Sequence, residues 1–155
     1  MKRIFAFLFS LPLLGTGPLV PINEAGFQKL VDSHKGNVVL YDFWATWCGS
    51  CRAELPQLVL LERRLRARGV EVVTISADDR QHQAAAEKFI QMFDVQGPAY
   101  LKQANDDDRF ISAIDPQWSG ALPALFLYDK SGRKVRSFIG ETDLGALERA
   151  IHKLL

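Results

Sequence analysis

The chain has two cysteines, Cys48 and Cys51, in the run Trp47-Cys48-Gly49-Ser50-Cys51. A disulfide between them would close a very short loop and add little stability, so their spacing favours redox chemistry or metal binding over a structural bond. The run follows an apolar, β-branched segment and opens a helical pattern, which places Cys48 at a helix N-terminus. Free backbone N–H groups and the helix dipole stabilise a thiolate at such a position.

Cys51 is expected one turn further into this helix, on the same side, where it could attack a mixed disulfide on Cys48. Cys48 is therefore predicted to be the nucleophile and Cys51 the resolving thiol. One alternative is a soft ligand pair for a metal such as Cu(I). The three histidines, His34, His82 and His152, fall in separate predicted helices and do not have zinc-site spacing with the cysteines, so no metal site is predicted.

The elements that position the cysteines are two strands and the helix between them. Residues 37–43 and 70–76 are predicted to be buried strands from their β-branched and aromatic content. The helix between them covers residues 48–68, and four leucines share its apolar face: Leu55, Leu58, Leu61 and Leu65. A strand, helix and strand in this order form a βαβ unit with parallel strands.

The rest of the chain extends this unit to both sides. Helices are predicted over residues 23–34, 81–93, 105–114 and 142–155, and strands over residues 99–102, 124–128 and 134–139. The last two strands are joined by a hairpin turn. The predicted fold is a three-layer α/β sandwich with a central mixed β-sheet.

Length and composition limit the classes of protein that fit. The chain has 155 residues, 48% of them hydrophobic and 24% charged, which suits one globular domain and argues against a disordered chain or a multi-span membrane protein. Its formal net charge of +1 gives no reason to expect a nucleic-acid partner. We expect a monomer.

The N-terminus has the pattern of an export signal. Residues 1–14 read MKRIFAFLFSLPLL, with a basic start and a short apolar stretch. We predict that residues 1–20 are a signal peptide or an uncleaved N-terminal anchor and that residues 21–155 are the domain. The predicted location is the periplasm or another exported site. A buried N-terminal strand or helix is the alternative.

Residues 39–56, VLYDFWATWCGSCRAELP, resemble the active-site segment of thioredoxins, and especially that of the exported TlpA/ResA-like thiol–disulfide reductases. The resemblance implies a thioredoxin-like fold and a redox-active Cys48–Cys51 disulfide. No flavin or nicotinamide signature is present, so no cofactor beyond this disulfide is predicted. The partners implied are protein disulfides or dithiols and an electron donor, membrane-bound in many such systems.

The resemblance also implies roles for two acids. Asp42 occupies the position of the buried thioredoxin carboxylate, which exchanges a proton with the resolving cysteine; the alternative is a side chain that points to solvent. Thioredoxins often pair this carboxylate with a lysine on the next strand, and residues 72–76 contain none. Glu54 matches an acid of the TlpA-like proteins, and it is either a proton relay or a solvated surface residue.

A docking surface for the partner is predicted around Trp47, Leu122 and Pro123. The resemblance implies a cis bond before Pro123, which would bring the Leu122 backbone opposite Cys48 to pair with a substrate strand. Many relatives carry threonine where this chain has Leu122. Trp118 lies near this loop and is predicted either to join the surface or to belong to the core.

These observations predict an exported thiol–disulfide oxidoreductase that reduces disulfides of partner proteins. A disulfide oxidase or isomerase would use the same atoms at a different reduction potential. Other classes of protein that remain open are a Cu(I)-binding chaperone and a non-catalytic binding module.

Overall fold

The computed structural model describes residues 17–155. Its strands are β1 (Val20–Ile22), β2 (Val38–Trp44), β3 (Val70–Ser76), β4 (Ala99–Lys102), β5 (Ala124–Tyr128) and β6 (Lys134–Ile139). Its helices are α1 (Glu24–Ser33), α2 (Gly49–Leu65), α3 (Gln83–Met92), α4 (Asp107–Ile114) and α5 (Leu144–His152). None of the helices in this part of the chain combines the length and apolar character needed to cross a membrane.

The strands form one mixed sheet in the order β1-β4-β3-β2-β5-β6. The first four of these pair in parallel, while β5 pairs antiparallel with both β2 and β6. Every residue of β2 is buried. The predicted three-layer sandwich with a central mixed sheet is confirmed, and β2, which leads into the cysteine pair, lies inside the sheet.

The strand β1 was not predicted. It has only three residues, two of them exposed, and Pro21 in its middle has no N–H to donate, which confines such a strand to a sheet edge. Just before it, Leu19 is 3% exposed and its N–H donates to Glu87 Oε1 at 3.1 Å. The fold therefore includes Leu19 and Val20, the last two residues of the predicted signal or anchor segment 1–20, and residues 1–16 of that segment lie outside the described residues.

Alternate side chains of β2 face opposite layers, as the twofold repeat of a strand requires. On one side, Tyr41 and Phe43 join an aromatic cluster with residues of α1 and α4, including Phe27 and Phe110. On the other side, Leu40 packs with residues of α2 and α5. The helices thus cover both faces of the sheet, with α1 and α4 opposite α2, α3 and α5.

Each helix is shorter than its predicted range, and local capping determines where the helices begin. Asn23 caps α1 by accepting the Gly26 N–H at 2.9 Å, as its position suggests. The start of α3 is delayed because Asp79 caps a short 3₁₀ turn at Arg80–His82. The predicted helix over residues 142–155 begins only after Asp143, which caps α5 through the Ala146 N–H.

Candidate active site

Cys48 and Cys51 form a disulfide at the start of α2, with their Cα atoms 5.3 Å apart. Cys48 is the N-cap residue of this helix, and its Sγ accepts the backbone N–H of Cys51 at 3.2 Å. Cys48 is 7% exposed and Cys51 is 2% exposed, so Cys48 presents more of its surface to a partner. The helix N-terminal position that the sequence predicted for the pair is confirmed.

The first turn of α2 favours a thiolate at Cys48. It contains no acidic residue, and the Cys51 N–H, which has no partner inside the helix, points at the Cys48 sulfur. The Ser50 hydroxyl lies 3.6 Å from the same sulfur and offers a further donor. When the disulfide is reduced, these donors stabilise negative charge on Cys48.

Asp42 lies beneath α2 and is 3% exposed. Its neighbours two residues away on β2, Leu40 and Trp44, pack against Leu58 and Leu55 of α2, so the Asp42 side chain points to the same face. Within residues 17–155, Oδ2 of Asp42 has no hydrogen-bond partner. The alternative of a solvent-facing Asp42 is therefore wrong.

The environment of Asp42 favours its protonated form. Burial raises the pKa of this carboxyl well above its usual range, and the nearby carboxylate of Glu54 raises the pKa further. Thr74 lies beside Asp42 in the register of β2 and β3, and its buried hydroxyl also has no partner among the described residues. Thr74 supplies no positive charge to oppose the rise.

Glu54 is half-buried on α2, and its Oε1 has no hydrogen-bond partner within the described part of the chain. Burial raises the pKa of Glu54, the neighbouring Thr142 opposes this rise, and the Glu141 carboxylate adds to it. Glu54 lines a cleft of about 280 Å³ together with Ser50, Thr142 and other residues of α2 and of the segment before α5. It is therefore not a fully solvated surface residue, and it is near enough to Asp42 for its charge to raise the pKa of that carboxyl.

The Leu122–Pro123 bond is cis, as the resemblance implied. Pro123 is buried, and its carbonyl accepts the Gly140 N–H at 2.9 Å. Leu122 packs against the cluster that contains Cys48 and Cys51, so the loop adjoins the disulfide. Trp47 is 70% exposed next to Cys48, which leaves its indole free to meet a partner.

Trp118 belongs to the core but also supports this loop. Its ring is 7% exposed and packs on Phe43 and Phe126, with ring centroids 5.0 and 5.2 Å away. Its Nε1–H donates to the Ala121 carbonyl at 2.9 Å. Of the two predictions for Trp118, the core position is confirmed. The hydrogen bond to Ala121 was not predicted, because it depends on how the loop folds back.

The sequence analysis also missed Asp78, a buried acid just after β3. Its carboxylate accepts hydrogen bonds from Thr46, which lies two residues before Cys48. A signal for it was available, because residues at the carboxyl ends of neighbouring parallel strands lie close together.

As for a metal, no group of three or more His, Cys, Asp or Glu residues within residues 17–155 is arranged to hold an ion.

The sheet order and the disulfide at the N-terminus of the second helix place this protein in the class of thioredoxin-like folds. The Redoxin family model matches residues 23–151, and the chain belongs to this family.

Similar proteins agree with this assignment. Thiol-disulfide oxidoreductase ResA of a Bacillus cereus strain is 32% identical over 120 residues, which cover 77% of this chain and 65% of that relative. The chain thus spans slightly less than two thirds of the relative's length. A thioredoxin-family thiol:disulfide interchange protein of Chlorobium tepidum TLS matches with a TM-score of 0.67 and 20% identity, over 89% of this chain and 97% of that chain. A putative thiol-disulfide oxidoreductase of Bacteroides vulgatus has a TM-score of 0.58 and 27% identity, over 80% of this chain and 78% of that chain.

Proposed function

We propose that this protein is a thiol–disulfide oxidoreductase that reduces disulfides of partner proteins through its Cys48–Cys51 dithiol. The observation that carries this proposal is the geometry of the pair, in which the Cys51 N–H points at the Cys48 sulfur at the start of α2. The ResA relative, which is named a thiol-disulfide oxidoreductase, supports the same activity.

The reaction proceeds in two exchanges. The Cys48 thiolate attacks one sulfur of the partner disulfide, a mixed disulfide forms, and the first partner thiolate leaves and takes a proton from water. Cys51 then loses its proton and attacks the Cys48 sulfur, which releases the second partner thiolate. Two electrons pass to the partner, and the protein is left with the Cys48–Cys51 disulfide.

Asp42 is the proposed acceptor of the Cys51 proton, and Glu54 is the proposed relay to solvent. A carboxyl with a raised pKa holds a proton more strongly than an ordinary one, so its ionised form is the better base near neutral pH. Glu54 influences the charge of Asp42 and lines a cleft that opens to solvent, which suits the exchange of that proton with water.

The partner docks around the sulfur of Cys48. The exposed indole of Trp47 and the apolar side chain of Leu122 flank the disulfide, and the Leu122–Pro123 loop offers backbone groups to an extended segment of the partner.

The oxidised protein must be reduced again after each turnover, and we propose a membrane-bound electron donor for this step. The disulfide is the only redox group in the proposal, and the protein acts as a monomer.

The pattern of residues 1–14 supports export, either with a cleaved signal or with the segment kept as an anchor. An oxidase or isomerase would use the same two sulfurs at a higher reduction potential. The reduction potential of the Cys48–Cys51 pair therefore distinguishes a reductase from these enzymes, and equilibration with a glutathione series measures it. We expect a potential below that of glutathione, as a reductase requires.

Insulin reduction tests the activity itself. With dithiothreitol as electron donor, the wild type should accelerate precipitation of the insulin chains, and the Cys48→Ser variant should not. The Cys51→Ser variant should retain a mixed disulfide with insulin that non-reducing electrophoresis shows. If the Cys48→Ser variant is as fast as the wild type, or if Cys51→Ser traps nothing, the proposed function is wrong.

A further inference from the structure

Asp78 has a buried carboxylate that takes no part in the proposed chemistry of Cys48, Cys51 and Asp42. It is 1% exposed and lies just beyond the carboxyl end of β3. Its Oδ2 accepts the Thr46 N–H at 2.9 Å and the Ser76 hydroxyl at 2.7 Å, and its Oδ1 accepts the Thr46 hydroxyl at 2.6 Å. Both donors of Thr46 therefore go to this one carboxylate.

The partners of Asp78 are neutral donors. Within residues 17–155, this carboxylate makes no salt bridge, although burial of a charged group is costly unless it is well compensated. Hydrogen bonds to an ionised acceptor are shorter and about twice as strong as those between neutral groups. The hydrogen bonds from Thr46 and Ser76 therefore compensate the cost of burying this carboxylate.

Thr46 is part of the segment that connects β2 to the reactive cysteine. The same segment is fixed on both sides by backbone bonds, since the Trp44 carbonyl accepts the Ala77 N–H at 2.7 Å and the Ala45 carbonyl accepts the Cys48 N–H at 3.1 Å. Trp47, between Thr46 and Cys48, is largely exposed. Asp78 is therefore the side chain that ties the middle of this segment to the end of β3.

We propose that Asp78 is a positioning residue for Cys48 and Trp47. By accepting both hydrogen bonds from Thr46, it holds residues 46–48 in the arrangement that a partner disulfide must meet. The inference rests on the proposed function, because it concerns how that partner reaches the Cys48 sulfur. Asp78 does not touch the reacting sulfurs and acts through Thr46 alone.

Two substitutions separate this role from general stability. In Asp78→Asn, an NH₂ group replaces one of the two acceptor oxygens. Either the bond from the Thr46 hydroxyl is lost, or the bonds from the Thr46 N–H and the Ser76 hydroxyl are lost together, so Thr46 loses a bond in both cases. In Thr46→Val, only the hydroxyl donor is removed at nearly constant shape. Asp79→Asn is the matched control, because it removes the same charge from the next residue, which caps the Arg80–His82 turn and does not bond to Thr46.

The experiment measures four quantities for the folded proteins, with the activity assays run at one temperature well below unfolding. These are the kcat and KM for insulin reduction, the rate at which reduced Cys48 reacts with iodoacetamide in a Cys51→Ser background, and the unfolding midpoint. For Asp78→Asn we expect kcat/KM for insulin to fall about tenfold, because a misplaced reacting group loses rate steeply. The rate with iodoacetamide, which needs no docking geometry, should stay within about twofold of the wild type.

Thr46→Val should reproduce part of this loss, and its effect should not add to that of Asp78→Asn, because both act on the same contact. Asp79→Asn should keep the wild-type kcat/KM. If Asp78→Asn and Thr46→Val both reduce insulin like Asp79→Asn while the wild type is active and Cys48→Ser is not, the inference is wrong and the proposed function stands. If the wild type itself shows no Cys48-dependent reduction, the proposed function is wrong.

Discussion

The indole N–H of Trp118 donates a 2.9 Å hydrogen bond to the carbonyl of Ala121, the residue before Leu122. This bond connects the aromatic core to the loop that adjoins the disulfide. The start of the same loop is held by Asp115, whose carboxylate accepts the Gln117 N–H at 2.9 Å and the Ser137 hydroxyl at 3.0 Å. The loop that presents Leu122 is thus attached at both ends.

Trp118→Phe should therefore weaken docking more than it weakens the fold. Phenylalanine keeps an aromatic ring in the core but removes the donor, which is worth about 1 kcal/mol of unfolding free energy, and it also fills less of the buried volume. We expect the KM for insulin to rise several-fold while alkylation of Cys48 is unchanged. Trp44→Phe is the control, because the Nε1 of this buried indole has no partner among the described residues. An equal rise of KM in both variants would contradict the role of the hydrogen bond.

The two cysteines should differ in acidity when the protein is reduced. Cys48 accepts the Cys51 N–H and caps α2, whereas Cys51 lies within the helix. In a Cys51→Ser variant, we expect alkylation of Cys48 to follow a pKa below the value of about 8.5 for a free thiol. In Cys48→Ser, the remaining thiol should react only at higher pH. Iodoacetamide rates measured over a pH series from acid to alkaline check this, and identical profiles in the two variants would contradict the assignment of nucleophile and resolving thiol.

Asp42→Asn should slow the second exchange. The first attack by Cys48 does not need this carboxyl, but the proton of Cys51 loses its proposed acceptor. Near neutral pH we expect the mixed disulfide with insulin to accumulate during turnover, and acid quenching followed by electrophoresis measures its amount. Glu54→Gln should give a weaker effect in the same direction. Wild-type levels of the intermediate in both variants would show that the two acids have no part in proton transfer.

Asp42→Asn should also change how the free energy of unfolding depends on pH. The pKa of Asp42 is higher in the folded state than in the unfolded chain. Between these two pKa values the folded protein binds a proton that the unfolded chain has lost, so stability falls as the pH rises. The slope is at most about 1.4 kcal/mol per pH unit for one group. Asp42→Asn should therefore be more stable than the wild type at mildly alkaline pH, with the advantage shrinking as the pH falls towards the ordinary pKa of an aspartate. Urea unfolding at several pH values tests this.

Asp129 provides the opposite case. Its carboxylate accepts hydrogen bonds from Ser131 and Arg133 in the turn between β5 and β6, and these bonds lower its pKa to about 2. The unfolded chain binds the proton at higher pH, so this contribution to stability is present above about pH 4 and is lost as the pH falls through the folded-state pKa. Asp129→Asn should be less stable than the wild type at neutral pH and should approach it near the folded-state pKa. A deficit that stays constant with pH would assign the effect to lost hydrogen bonds alone.

The parts of the fold that the sequence predicted are those with a local signal. The leucine spacing of α2 and the β-branched run of β3 reflect burial of one face or of a whole strand, so both elements could be predicted from periodicity. The strand β1 could not, because its three residues pair with the distant β4 and show no pattern of their own. Its pairing is determined by tertiary contacts.

The site divides in the same way. The spacing of Cys48 and Cys51 and the strand before them are local, and they were sufficient to predict the reactive pair. The Thr46–Asp78 contact joins two loops that are 32 positions apart, and only the alignment of β2 with β3 brings them together. The unpartnered Thr74 hydroxyl beside Asp42 depends on the register of these two strands, which composition does not reveal.

The two outer strands of the sheet limit how far it can grow by strand addition from another molecule. An exposed edge is a template for aggregation, and proteins block it with short strands, proline or cationic side chains. At one edge, β1 is only three residues long and contains Pro21. At the other, β6 exposes Val135 and Ile139 but also carries Arg136, whose guanidinium stacks over Phe138 at 4.8 Å and gives the strand a positive charge. Both edge strands therefore disfavour the intermolecular β-pairing that leads to aggregation.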